Sequence, residues 1–461
     1  MPQPVLTKEA GDISSIFPSL KPDYQPIPLP VRFKELKLSF FRKNEEALKR
    51  SWERLVRTLE DEVETIGKRS SSIIPSLEYK DIISGNVSNE TKAEIRYRGS
   101  AVIRHAVPRS TALEWKVKVR NYITRNGERV KAFPPDSPAV YELYWTPSQV
   151  EARAHPNVLA TQKFLQRLWH SSDPGTQLSH SYPLSYADRL RIRQPGDARF
   201  TLGPHVDSGS LERWEDPEYS RVYRKILEGN WEEYDPFDAK HRVKARMDLY
   251  NGAGACSMMR LFQGWLSMSD TAPGEGTLRV CPMLKQSTAY TILRPFFDAE
   301  SSLPVLDATF PGSVPGACQE YTSVTHPHLA LSTTMVSMPR VEPGDYVAWH
   351  CDSLHSVDKE HRGTGDSSVL YIPTAPLCQM NVEYLMKQRQ AALTYSPPWD
   401  FPGAGGPGEM GFQDAVDWSS LNPDGLQAMG MGTRPWKFSD DMSEGEKQAI
   451  VWGNSHCFTA E

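Results

Sequence analysis

From Leu190 onward the chain is a series of short β-prone runs separated by Gly and Pro turns, and this texture limits the fold more than any other feature. The runs are LRIRQPG (190–196), FTLGPHVD (200–207), SMMRLFQGWLSMS (257–269), TLRVCPML (277–284), AYTILRPFF (289–297), HLALSTTMVSMP (328–339), DYVAWHCDSLHSV (345–357) and SSVLYIPTAP (367–376). Strands this short and this regularly punctuated suit an antiparallel sandwich or barrel. The main interruption, Ser208 to Asp248, is charged and aromatic and reads as a helical insertion.

The first half has a different texture. Residues 1–35 are rich in Pro, lack periodicity and read as an extended arm. Between Phe40 and Lys68, Leu48, Trp52, Leu55, Leu59, Val63 and Ile66 recur at steps of three and four, the spacing of one helix face. Ile95–Val107 reads as a strand. Thr111–Arg125 reads as a helix closed by Asn126-Gly127, and helical spacing returns from Pro147 to Trp169. The expected organisation is a helical layer with a leading strand (36–185) around one β core (186–395). An irregular Gly-, Pro- and Met-rich extension (396–461), with a short helix near Ser443–Trp452, would pack on that core. The fold class is mainly β with helical additions. A chain of 461 residues with 39% hydrophobic residues can bury a core of that size.

Charge and cysteine usage narrow the partners. A net charge of -5 without a basic run excludes the electrostatic footprint of a nucleic-acid binder. No stretch approaches eighteen uninterrupted apolar residues, so no membrane span is expected. MPQPVLTKEAGDISSIF lacks the pattern of a secretory signal, and the six cysteines contain no CxxC pair. A cytoplasmic protein, monomeric or homodimeric and acting on a small molecule, is expected.

The chemistry begins at Gly203-Pro204-His205-Val206-Asp207. His and Asp two apart on a strand end share one face, so one metal can take both the imidazole and the carboxylate. Alone, H-x-D is a weak signal. It gains weight from Pro343-Gly344-Asp345, a turn, followed by the strand Tyr346-Val347-Ala348-Trp349-His350 and then His355, about 150 residues after His205. Two histidines and one carboxylate leave positions on an iron open for other ligands. His350, His355 and His361 are all candidates for the third ligand. His355 is favoured because it lies further from the Pro-Gly-Asp turn than His350, toward the opposite end of the strand. His350 suits a core position, and His361, in Asp358-Lys359-Glu360-His361-Arg362, suits a solvated loop.

The segments GPHVD, FQGWLSMSDTAPGEGTLRVCP, PGDYVAWHCDSLHSV and SSVLYIPTAP together resemble the double-stranded β-helix (jelly-roll) core of phytanoyl-CoA-hydroxylase-like oxygenases. GSAVIRHAVPRSTALEWKVKVRNYITRN is similar to that superfamily's leading strand and helix. YWTPSQVEARAHPNV resembles a signature of a bacterial and fungal branch catalogued as a domain of unknown function. The resemblance implies a non-haem Fe(II) and 2-oxoglutarate-dependent dioxygenase, with iron on His205, Asp207 and His355. It implies hydroxylation, or desaturation or ring closure, of a small molecule such as an amino acid or secondary metabolite. It names no substrate.

One departure concerns 2-oxoglutarate. The superfamily often carries an Arg on the strand after the distal His, whereas here that strand reads Asp366-Ser367-Ser368-Val369-Leu370-Tyr371. A carboxylate tail still wants a cationic fork. The candidates are Arg193 and Arg279, followed by Arg191, Arg260 and Arg362. Expected second-sphere groups are Ser208, Trp349 and His350. Pocket candidates are Arg213, Trp214, Gln263, Trp265, Tyr144 and Trp145, although plain core packing competes for each aromatic. The competing functions are a zinc hydrolase or isomerase on the same three ligands, and a non-catalytic metal-binding barrel serving as a binding module.

Overall fold

The computed structural model describes residues 8, 13–21, 24–25, 28–252 and 254–458. Of the expected N-terminal arm, much lies outside the described residues; the rest includes two 3-10 turns, Ile13–Ser15 and Pro18–Leu20. The first long helix begins at Arg32 rather than Phe40 and runs to Arg69, with a break in helical geometry at Asn44. Its stripe Leu48, Trp52, Leu55, Leu59 and Ile66 is buried as the spacing requires.

Fifteen strands occur among the described residues. They are β1 (Ser76–Glu78), β2 (Ser100–Arg104), β3 (Ala132–Phe133), β4 (Val140–Tyr141), β5 (Leu178–Leu184), β6 (Leu190–Arg193), β7 (His205–Val206) and β8 (Phe262–Ser267). There follow β9 (Leu278–Val280), β10 (Gln319–Glu320), β11 (Val336–Ser337), β12 (Tyr346–His350), β13 (His355–Val357), β14 (Ser367–Tyr371) and β15 (Ala375–Cys378). A large sheet has the order β1-β2-β12-β8-β14-β6-β4-β3, antiparallel except for β1 against β2. A smaller antiparallel sheet has the order β10-β7-β13-β9-β11.

Period-two alternation decides which side of the large sheet meets which layer. Val347, Trp349, Trp265 and Val369 share one apolar cluster with Val206, Leu278 and Val280 of the small sheet. Their strand neighbours Tyr346, Ala348, Leu266 and Leu370 join a second cluster with Trp115, Val119, Val158 and Leu165 of the helices. The chain is therefore a mixed α+β protein in which the large sheet lies between the small sheet and a helical layer. No helix is long and apolar enough to cross a membrane.

Several elements differ from the sequence reading. Ile95–Val107 is not one strand: Asn89–Arg98 is a helix closed by Gly99 in left-handed geometry, and only Ser100–Arg104 is extended. AYTILRPFF is helical, as Leu284–Leu293 and a 3-10 turn. Every residue from Gln286 to Leu293 is buried, Gln286, Ser287, Thr288 and Thr291 included, so no solvent-facing stripe marks a helical period and the run cannot be told from a buried strand. In HLALSTTMVSMP only Val336–Ser337 is extended. The Pro147–Trp169 stretch is two helices, Pro147–Ala154 and Pro156–Gln166, divided where Pro156 forbids helical geometry at His155.

The C-terminal part is tied down more tightly than its composition suggests. The buried Glu409 carboxylate accepts hydrogen bonds from the backbone N–H of Tyr144 (2.7 Å) and Trp145 (2.9 Å) and from the Tyr122 hydroxyl (2.9 Å). Helix Glu444–Cys457 starts with a reciprocal capping box between Ser443 and Glu446.

Candidate metal centre

β7 and β13 are neighbours in the small sheet, and His205 lies directly opposite His355. Their rings sit 4.2 Å apart, centre to centre. Asp207, just beyond β7, turns its carboxylate to both: Oδ1 is 3.5 Å from His205 Nε2 and Oδ2 is 3.9 Å from His355 Nε2. The donor atoms of all three residues lie within 4.8 Å of one another. The turn after Asp207 depends on left-handed backbone at Ser208 (φ 70°) and Gly209 (φ 76°). A Cβ at Gly209 would come within 2.5 Å of the Met247 carbonyl oxygen, so only glycine fits.

Backbone carbonyls set the tautomers. His205 Nδ1 lies 2.7 Å from the Gly203 oxygen and His355 Nδ1 lies 3.0 Å from the Ser353 oxygen. Each Nδ1 must carry its proton to donate there, which leaves both Nε2 lone pairs facing Asp207. Burial, reinforced by His205, holds His355 down to about 3, so its imidazole is neutral at physiological pH. Burial raises Asp207, but His355, His205 and Arg260 with a Gln263 hydrogen bond outweigh it and keep the carboxyl ionised.

The other two histidines are elsewhere. His350 faces the helical layer, stacks on Trp169 at 4.6 Å, and is satisfied by the Pro236 carbonyl and the Asp352 N–H. Its neighbours Cys351 and Asp352 make a second metal-like grouping. Asp352, however, is fully engaged by Arg242, Tyr223 and Tyr234. His361 is buried rather than solvated, packed against Gly276 and Gly363.

The three clustered residues open into one cavity between the two sheets. The large sheet contributes Arg191, Gln263, Trp265, Trp349 and Tyr371, and Arg189 and Arg260 flank it. Leu278 and Val357 of the small sheet form the facing wall. Phe17 from the N-terminal segment meets His205 edge-on at 4.7 Å. Three buried donors on this wall, Arg191 Nε, Arg260 Nε and Trp349 Nε1, have no hydrogen-bond partner among the described residues. Such groups are costly to bury alone, and their convergence on one cavity marks it as a place for an oxyanion.

The remaining arginine candidates do not line this cavity. Arg193 is used by Asp197 and by the carbonyls of Asp358 and Lys359. Arg279 pairs with Ser356 in register, one step off the inward pair Leu278 and Val280, so it leaves by the other face and binds the Met335 carbonyl. Arg362 is exposed beside Glu360. Arg213 is also committed: its guanidinium clamps the carbonyls of Gly209 (2.5 Å) and Asp207 (3.0 Å), holding the turn that presents Asp207. Trp214 lies in the core with its indole N–H on the Ile292 carbonyl. Tyr144 and Trp145 do not line the cavity; Tyr144 packs behind Phe401, which does, and Trp145 sits in the same cluster with Trp418. Sequence reading missed Arg189, although the alternation that singles out Arg191 and Arg193 also includes it. Phe17 and Cys318, whose thiol sits 3.9 Å from Asp207 Oδ1, carry no local signal.

Glu212 also borders the cavity, accepting the Ser210 N–H at 2.8 Å. Burial lifts its carboxyl from the ordinary 4.5 to about 7. A raised carboxyl in the fold contributes stability below pH 4.5 that is lost as pH rises through about 7. Glu212→Gln keeps the acceptor and removes the titration. The variant is expected to match the parent near pH 4.5 and exceed it by about 3 kcal/mol at pH 8. Urea unfolding at both pH values reads this directly, and parallel stability curves would refute it.

A family model described as Gig2-like matches residues 27–431. The uncharacterized protein YbiU of Escherichia coli (strain K12) is 35% identical over 381 residues, covering 80% of this chain and 88% of its own. The crystal structure of GlcNAc Inducible Gene 2, GIG2 (DUF1479), from Candida albicans superposes with a TM-score of 0.85 at 33% identity, covering 94% of this chain and 96% of that one. A Salmonella typhimurium LT2 protein provisionally named an oxidoreductase superposes with a TM-score of 0.78 at 32% identity, covering 87% of this chain and 98% of that one. The chain belongs to the Gig2-like family.

Proposed function

We propose that this protein is a non-haem Fe(II) and 2-oxoglutarate-dependent oxygenase of a small molecule, built on a double-stranded β-helix of the phytanoyl-CoA-hydroxylase-like type. The observation that carries the reading is the shared cavity: two imidazoles and one carboxylate converge at one point, and orphaned cationic donors stand a short way along the same wall. His205, Asp207 and His355 would hold the iron, and two nitrogens with one oxygen suit Fe(II) with open positions. Iron held there would let dioxygen act as the four-electron oxidant, with two electrons taken from 2-oxoglutarate, which leaves as succinate and CO2, and two from an unactivated substrate C–H bond.

The chain's own residues do the positioning. Arg191 occupies the strand next to the one on which the superfamily's Arg lies, opposite Val369, with Nη2 3.3 Å from Ser367 Oγ. Ser367 and Tyr371 face the same side of β14 as Val369. Arg191 would take the tail carboxylate of 2-oxoglutarate in their company. Trp265, Leu278 and Val357 supply the apolar walls that keep water from the reacting centre. The Gln263 hydrogen bond on Asp207 fixes the carboxylate's orientation.

The decisive measurement is oxygen uptake and succinate release by anaerobically iron-loaded protein, with and without 2-oxoglutarate. Succinate formation that requires both is expected; its absence with and without candidate substrates would overturn the reading. Arg191→Gln is expected to raise the 2-oxoglutarate concentration at half-maximal rate by about 10–100-fold, the worth of a charge-assisted hydrogen-bond pair, while iron content stays unchanged. An unchanged requirement would remove Arg191 from this role.

A further inference from the structure

The cavity holds more cationic donors than 2-oxoglutarate uses. Besides Arg191, it contains Arg260, which lies over Tyr186 and near Asp207, and Arg189, which lies over Phe401. Arg189 has an internal counter-charge, since its Nε lies 3.3 Å from Asp188 Oδ1. Arg260 has none of its own. Its nearest carboxylate is Asp207, at 3.9 Å, and that charge belongs to the metal in the proposed holoenzyme. Its only hydrogen bond among the described residues is a 3.3 Å contact from Nη2 to Ser208 Oγ. Nε is buried with no partner, although the residue is only 9% exposed.

Resting on the oxygenase reading, we propose that the substrate is a small carboxylate, and that the open edge of Arg260 is the site that binds it. Three features choose this class. The uncompensated charge is one positive unit, which a carboxylate monoanion neutralises and a phosphate dianion overshoots. An Nε with a neighbouring Nη on one guanidinium edge matches the two oxygens of a carboxylate side by side. Tyr186, Phe200, Phe401 and Phe17 give that end aromatic surface for a carbon skeleton, and the carboxylates that also line the cavity, Asp188, Asp248 and Glu212, are already engaged by Arg189, Lys8 and the Ser210 N–H. Anchoring through Arg260 would also place the substrate next to Asp207, and so next to the metal. Arg213, the pocket arginine expected from the sequence, does not compete for this role, because it is spent on backbone carbonyls.

The test uses full-length protein loaded anaerobically with Fe(II) and saturating 2-oxoglutarate, so that the co-substrate's own site is filled. The probes are C4 to C8 aliphatic and aromatic carboxylic acids, each paired with its primary amide, measured by titration calorimetry. Wild-type protein is expected to bind at least one acid about 10-fold or more tightly over its amide. Arg260→Gln should erase that preference, and Arg260→Lys, which keeps the charge without the fork, should retain part of it. The acid-to-amide ratio is the readout because any change in iron or 2-oxoglutarate affinity, which Arg260 can influence through Asp207, moves acid and amide alike. If Arg260→Gln fails to fold, Arg260→Lys must still weaken the preference. Equal binding of acids and amides by the wild type, or a preference unchanged in the variants, overturns the proposal. Failure of the wild type to retain iron or to bind 2-oxoglutarate, scored before any probe is added, would instead overturn the oxygenase reading.

Discussion

Replacing His205 or Asp207 with Ala is expected to lower Fe(II) affinity by more than about 100-fold and to abolish 2-oxoglutarate turnover. Groups that only orient a metal ligand typically account for about 10–100-fold in affinity, so a ligand itself should account for more. The same substitutions should change the stability of the metal-free protein little. His205 sits at the cavity edge, where Phe17 and His355 flank it, so truncation enlarges an existing space rather than opening a void in packed core. Metal content after dialysis and a thermal melt without metal separate the two effects. Full iron occupancy in His205→Ala would refute the ligand assignment. His350→Ala is the contrast: that ring stacks on Trp169 and binds the Pro236 carbonyl, so its loss should be felt as stability and not as metal affinity.

Asp352→Ala is expected to cost about 3–5 kcal/mol of folding stability, the usual consequence of leaving a buried charge without its partner. Arg242 reaches Asp352 at 2.5 Å, and Tyr223 and Tyr234 donate to the same carboxylate at 2.9 and 3.3 Å. Arg242 and Asp352 are almost completely buried. The site lies in the turn between β12 and β13, just before the Ser353 carbonyl that sets the His355 tautomer. Loss of the ion pair should therefore loosen the turn and weaken metal binding as a second consequence. Despite burial, Arg242 and its neighbours hold this carboxyl below the ordinary 3.8. Its contribution is therefore present above that value and fades as pH falls below it. Chemical denaturation at neutral pH checks the magnitude, and a loss under about 1 kcal/mol would show that the network is not what holds the turn.

Legibility of the chain followed the range of the forces involved. The helix face Leu48 to Ile66 and the strand bearing Val347 and Trp349 were readable because their periods are local consequences of backbone geometry. AYTILRPFF was not readable as a helix, since burial on all sides, of Thr291 as of Ile292 and Leu293, leaves no solvent-facing stripe to report a period. Among the arginines, parity on the strand already separates Arg279 from Leu278 and Val280. The fate of Arg193 depended on Asp197 and on carbonyls in a loop far along the chain.

H-x-D on a strand end and a histidine after Pro-Gly-Asp and its strand were written in the sequence, because each needs only neighbouring residues to declare itself. The turn shows the same economy: Gly344 has φ 96° and a Cβ there would fall 2.1 Å from the Val107 carbonyl oxygen. Only the tertiary structure paired His205 with His355 across two strands and brought Arg191, Arg189 and Arg260 to one cavity. Only the fold showed that Arg193 and Arg213 are already occupied. The physical reason is that a side chain's chemistry is local, whereas its availability depends on which groups the fold has already brought within hydrogen-bonding distance.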